Sequence, residues 1–176
     1  GSRVHEIRRL LPVMLKACER VAAERPDVRF VIASASDTLT PHIETQIKEQ
    51  AGTAAGRISV VTGSTRTILS EARAAWVASG TATVETALLR CPMVITYRVA
   101  PLTFALARRI VKVDHIGMVN IIAGRRLCPE FVQDQATAEN LATAITPLID
   151  DGDARQEMLD GLAEVSKALG EPGAAQ

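Results

Sequence analysis

Ser79-Gly80-Thr81-Ala82-Thr83-Val84-Glu85 brings a glycine, three hydroxyl side chains and a carboxylate into one short stretch. An apolar run leads into it and a helix-like pattern leads out. Gly80 allows close backbone approach to a ligand. The free N–H groups and the dipole of the following helix favour a phosphate at its start, with the Thr81 and Thr83 hydroxyls nearby. Glu85 follows about one turn later. A carboxylate there can accept two hydrogen bonds from a sugar diol, as sheet proteins do when they hold a ribose. The stretch therefore has the parts for a nucleotide, with diphosphate at the turn and ribose at the acid. It also has the parts of a plain helix start, with Ser79 or Thr81 as cap and Glu85 facing the dipole. Local chemistry leaves both open.

Other candidates are weaker. Gly1-Ser2-Arg3 reads either as a turn whose Arg meets phosphate oxygens or as a vector remnant with a solvated Arg. Asn120, set between Val119 and Ile121, needs backbone or ligand partners for its amide, and loop-fixing is the commoner role. Tyr97 and Arg98 end an apolar run at the same sheet edge as Ser79; the alternatives are a core ring and a surface charge. Gly124-Arg125-Arg126 and Glu130 read as a turn with solvated charges rather than an anion site. Trp76 is expected in the core.

These side chains must be positioned by a chain of 176 residues, 47% hydrophobic but only 3% aromatic, so the core is built from Ala, Val, Leu and Ile. The length suits one domain, residues 1–170, with a frayed tail at 171–176. Lys+Arg and Asp+Glu both number 20, which gives no global pull toward nucleic acid. Cys18, Cys91 and Cys128 lack metal-ligand spacing, and His5, His42 and His115 stand apart from them. The reading is of reduced thiols in a cytoplasmic protein with no metal and no cofactor. No apolar run approaches the roughly 20 residues of a membrane span.

Helical spacing covers 4–24, with Pro12 expected to bend or break it. "VRFVIA" (28–33), "RISVVTG" (57–63), "AAWVASG" (74–80) and "PMVITY" (92–97) read as buried parallel strands. Helices are expected from Pro41 to about Ala51, over 65–74, 81–90, 101–112, 137–150 and 153–169. Residues 113–131 read as a loop with short strand pieces. The basic helix 101–112 has an amphipathic pattern that suits either the sheet or a membrane surface. Alternating strand and helix without hairpin turns predicts an α/β fold, a parallel sheet with helices on both faces.

Taken in order and spacing, residues 78–137 resemble the C-terminal half of the lipid-A-disaccharide synthase family, bacterial glycosyltransferases of the GT-B type. The resemblance rests on Ser-Gly-Thr-Ala-Thr-x-Glu, Cys-Pro-Met-Val, Tyr97-Arg98, the Leu-Ala-x-Arg helix, Asn-Ile-Ile-Ala-Gly-Arg and Pro-Glu-Phe-x-Gln. It extends along nearly the whole chain, most weakly over 34–60 and after 150. It implies a Rossmann-like half of a GT-B enzyme. The implied reaction moves diacylglucosamine from UDP-2,3-diacylglucosamine to 2,3-diacylglucosamine 1-phosphate, giving lipid A disaccharide 1-phosphate and UDP without a metal. The resemblance also implies that Gly1-Ser2-Arg3 is native.

Carried onto this chain, the resemblance sets Ser2 and Arg3 at the diphosphate. Ser79, Gly80, Thr81 and Ala82 line the phosphate and nucleotide pocket, and Glu85 binds ribose. Thr83, Tyr97 and Asn120 are candidate site-lining residues. The acceptor-binding domain, the catalytic base and the strand leading into Gly1 fall outside this chain, so the fragment alone is expected to be inactive. The implied location is cytoplasmic, peripheral on the inner face of the bacterial inner membrane. The alternatives are another UDP-sugar-binding GT-B protein and a non-catalytic nucleotide-binding domain.

Overall fold

The computed structural model describes residues 4–78, 80–98 and 115–170. Helix α1 (Val4–Glu24) precedes β1 (Phe30–Ser34), α2 (Thr40–Gln50), a 3-10 segment (Gly52–Arg57) and β2 (Ile58–Thr62). Then come α3 (Thr65–Glu71), β3 (Ala75–Ala78), α4 (Thr81–Leu88) and β4 (Met93–Tyr97). The chain closes with α5 (Met118–Ala123), β5 (Glu130–Val132), a 3-10 turn (Gln133–Gln135), α6 (Ala138–Ile149) and α7 (Asp153–Leu169). The expected helix at 101–112 lies outside the described residues.

Every strand pairing is parallel, as the alternation of strand and helix predicts. The strands fall into two groups, β1–β2 and β3–β4–β5. Neither β1 nor β3 has a strand on its second edge among the described residues. The groups are joined instead by side chains. Phe30 of β1 stacks on Trp76 of β3, ring centroids 6.2 Å apart and planes at 13°. The Trp76 indole N–H also donates to the Leu141 carbonyl on α6 at 3.0 Å.

Helix α1 spans both groups. Its stripe at Ile7, Leu11 and Leu15 packs with Leu39, Ile43 and Ile47 above β1 and β2. Further along, Ala17 and Val21 enter the larger core of Val77, Met93, Val94, Ile95, Leu141 and Leu162. This explains why Pro12 neither breaks nor ends the helix. Proline removes one backbone hydrogen bond, whereas buried residues on both sides of it hold the two halves to one surface.

Burial differs between the groups. Met93 to Thr96 are buried without alternation, so β4 is covered on both faces. By contrast β1 and β2 alternate, and Val31 and Val61 stand exposed. Two further boundaries depart from expectation. Helix α3 stops at Glu71 because Ala72 is extended and Arg73 turns away to donate to the Ile149 carbonyl at 2.8 Å. The aperiodic stretch contains α5 and β5, each too short to show a period in sequence. No described helix is long and apolar enough to cross a membrane.

Ion pairs gather before the strands. Arg25 and Asp27 precede β1, and Arg25 reaches Asp150 at 2.5 Å. Arg73 precedes β3 and meets Asp151 at 2.5 Å. The Arg25 hydrogen bond holds the Asp27 carboxyl below its ordinary range, and the Arg73 hydrogen bond does the same for Asp151. A carboxyl depressed in the fold adds stability above its unfolded value, and this is lost as pH falls through the folded value. The double variant Asp27→Asn, Asp151→Asn should therefore lose less stability than wild type between pH 7 and about pH 3. Urea titrations across that range check it, and parallel curves would show that these pairs add nothing.

Candidate functional site

In parallel α/β sheets, ligands collect beyond the carboxyl ends of the strands. Three such ends border one open cleft of about 400 Å³, lined by Ser34 and Ala35, by Gly63, Ser64, Thr65, Arg66 and Thr67, and by Glu85. Ser34 ends β1, Gly63 follows β2 and Glu85 lies on α4 after β3. The volume falls in the range of small-molecule sites.

The wall from β2 is built by a tight turn. Gly63 has φ 75°, a conformation that favours glycine, and its N–H reaches the Ser34 carbonyl at 3.4 Å. Behind it the hydroxyls of Ser34, Thr40 and Thr62 form a chain with 3.1 Å links. The ends of β1 and β2 are thus held together beneath the cleft. Sequence reading missed Ser34 and Gly63–Arg66. The signal was available, since "VVTGSTR" repeats the apolar-run, glycine, hydroxyl order of the 79–85 stretch.

Of the predicted residues on α4, Glu85 alone lines the cleft; Gly80, ahead of it, has φ 129° and stands as the N-cap of α4, with no side-chain cap hydrogen bond. The helix start is therefore not closed by Thr81 in the manner of an ordinary cap. Thr81 and Ala82 are exposed beside it. Thr83 is buried and donates its hydroxyl to the Gly80 carbonyl at 2.8 Å, which uses that hydroxyl internally. Glu85 is half-buried and has no hydrogen-bond or ion-pair partner among the described residues. Arg66 and Arg98 likewise have no carboxylate partner there. Among the described residues, Arg25 and Arg73 are ion-paired at the amino ends of the strands, whereas Glu85, Arg66 and Arg98 are not at the carboxyl ends. Ser2, Arg3 and Ser79 lie outside the described residues.

Tyr97 closes β4 and pairs with Val132 of β5, so it stands at the same edge. Asn120 is elsewhere in its contacts. It is fully buried, its Nδ2 donates to the Cys128 carbonyl and to Glu130 Oε1, both at 2.7 Å, and its Oδ1 accepts from the Cys128 N–H at 2.8 Å. The amide faces the entry to β5. Glu130 is not a solvated charge, contrary to expectation: it is 7% exposed and accepts from the Ile116 and Gly117 N–H groups at 2.9 Å. Those N–H groups sit at the start of α5, where a carboxylate is favoured by the dipole. Gly117 is required here, since a Cβ would fall 2.4 Å from Ile95 and 2.9 Å from Glu130.

The three cysteines are free and buried. Burial pushes the Cys18 and Cys128 thiols up to about 12 and Cys91 to about 11, so none supplies a thiolate near neutral pH. Among the described residues no group of three His, Cys, Asp or Glu side chains has the arrangement of a metal site.

The lipid-A-disaccharide synthetase family model matches residues 1–172. The chain belongs to this family. It is 41% identical to the lipid-A-disaccharide synthase of Acidobacterium capsulatum over 182 residues, covering 99% of this chain and 45% of that protein. The enzyme of that name from Anaeromyxobacter sp. (strain K) is 40% identical over 174 residues, with 99% and 45% covered. That of Pseudomonas aeruginosa (strain LESB58) is 38% identical over 176 residues, with 100% and 45% covered. The chain thus spans about half the length of the curated relatives it matches.

The Asn120–Glu130 network gives a direct test of what anchors the return of the chain onto this family's sheet. Asn120→Ala should cost about 2 kcal/mol through the buried groups left unpaired. Asn120→Asp should cost about 3 kcal/mol at pH 8, because a carboxylate then faces Glu130. Urea unfolding measures both, and wild-type stability in Asn120→Asp would remove the network's structural role.

Proposed function

We propose that this chain is the UDP-donor-binding half of a lipid-A-disaccharide synthase. The observation that carries the reading is Glu85, a carboxylate without a partner among the described residues, set in one cleft with the Gly63–Arg66 turn. A nucleoside in that cleft places its ribose hydroxyls at Glu85. Its diphosphate then meets the N–H groups at Gly80–Ala82 and the dipole of α4. When the glycosidic bond breaks, charge develops on the leaving diphosphate. Preorganised N–H groups and nearby cations such as Arg66 and Arg98 stabilise it without reorganising. Ser2 and Arg3 complete the diphosphate site in this reading.

The whole protein transfers diacylglucosamine from UDP-2,3-diacylglucosamine to 2,3-diacylglucosamine 1-phosphate. The product is lipid A disaccharide 1-phosphate, with UDP leaving. The acceptor and the base that activates its hydroxyl belong to the rest of that protein. The break between β1 and β3 is where the doubly wound order 3-2-1-4-5-6 carries its first strand. A strand leading into Gly1 fills it in this reading. The protein works in the cytoplasm at the inner face of the bacterial inner membrane, held peripherally through residues 101–112.

Calorimetric titration with UDP in the presence of a chelator tests the site. Wild type should bind, and Glu85→Ala should lose at least about tenfold in affinity, or roughly 1.4 kcal/mol, with an unchanged melting temperature. Undiminished affinity in that variant would take the ribose away from Glu85. Acylated UDP-glucosamine should compete with UDP better than the unacylated sugar nucleotide; equal competition would favour a different UDP-sugar transferase. For the membrane contact, Arg108→Glu with Arg109→Glu should abolish co-sedimentation with anionic vesicles, and unchanged sedimentation would sink it.

A further inference from the structure

Gln133 follows Val132, the last residue of β5, which pairs with Tyr97 of β4. It therefore stands at the carboxyl edge, two strands beyond β3. At a strand spacing of about 4.8 Å, that is about 10 Å from the Gly80 turn. Three features of this residue bear on its role. Its φ is 51°, in the left-handed region that a non-glycine residue rarely adopts. Its side-chain Nε2 is buried without a hydrogen-bond partner among the described residues. Its carbonyl accepts from Arg98 Nε at 3.1 Å, which holds that guanidinium at the end of β4.

Arg90 shares the positive φ, at 52°, but has an ordinary reason for it. It follows the Leu89 C-cap of α4, where a left-handed residue closes a helix. Gln133 joins β5 to the 3-10 turn Gln133–Gln135, and its carbonyl accepts from the Ala136 N–H at 3.1 Å as well as from Arg98, so its unpartnered side-chain amide is the feature that the local fold does not explain. A buried amide N–H without a partner is costly, and native proteins leave few of them. Such a group at a ligand edge is complete only when an acceptor arrives. The space for one follows from the nucleotide reading, on which this inference rests. With the nucleoside between Gly63 and Glu85 and the diphosphate at Gly80, the rest of the donor extends over β4 and β5.

We infer that Gln133 reads the transferred sugar. Its side-chain amide donates a hydrogen bond to an oxygen of the acylated sugar, beside the guanidinium of Arg98. The residue is a binding group for the donor's sugar end and makes no contact with the nucleoside.

The test uses the full-length protein and two variants. Gln133→Glu keeps the shape but removes the donor N–H. Gln133→Gly removes the side chain while suiting the positive φ. Each should leave the affinity for UDP within twofold of wild type and raise KM for UDP-2,3-diacylglucosamine at least tenfold. The melting temperature of Gln133→Gly should not fall. Unchanged donor KM in both variants overturns the inference and leaves an amide satisfied by water. A parallel loss of UDP affinity overturns it too, by moving the contact to the nucleotide. A lowered melting temperature in both variants, with KM unchanged per folded molecule, assigns Gln133 to folding alone. If wild type itself fails to bind UDP, the nucleotide reading falls, and this inference with it.

Discussion

The site depends on one packing constraint: two separate groups of parallel strands must present their carboxyl ends at one level. Backbone hydrogen bonds between β1 and β3 do not do this among the described residues. The apolar stripe of α1 does, by entering the β1–β2 core through Leu11 and Leu15 and the larger core through Ala17 and Val21. The Phe30–Trp76 stack sets the separation, and the indole bond to Leu141 fixes the stack against α6. Were α1 to shift by one turn, the Gly63 turn would no longer stand across from Glu85.

Electrostatics follow the same geometry. Ion pairs at the amino ends tie α6 and α7 to the loops before the strands. These pairs are exposed and of small individual worth. At the carboxyl ends Glu85, Arg66 and Arg98 have no ion-pair partner among the described residues. On the proposed reading, a molecule with a diol and a diphosphate finds there an acceptor for its hydroxyls and cations for its anion.

The buried polar network around Glu130 serves a third purpose. It fastens the start of α5 to the entry of β5. Asn120 and Glu130 satisfy backbone N–H and carbonyl groups that a short helix and a three-residue strand cannot pair for themselves. The cost of burying a carboxylate is offset by three donors, two of them at a helix start.

Much of the fold could be read from the sequence. Alternating apolar runs and amphipathic segments declare parallel strands and helices, because each pattern has a fixed side-chain period. The order of motifs over 78–137 declared the family, whereas the residues around Glu85 left a ribose ligand and a plain helix start equally open. Other things had no local signal. Pro12 looks like a break until the two cores that grip α1 are seen. Glu130 looks solvated beside two arginines, yet it is buried, since its partners Ile116, Gly117 and Asn120 come from another element. The Gly63–Arg66 wall and the orphaned amide of Gln133 are likewise products of assembly. Sequence determines which segments can bury a face. Only the tertiary structure decides which polar groups meet, because that depends on contacts between residues far apart in the chain.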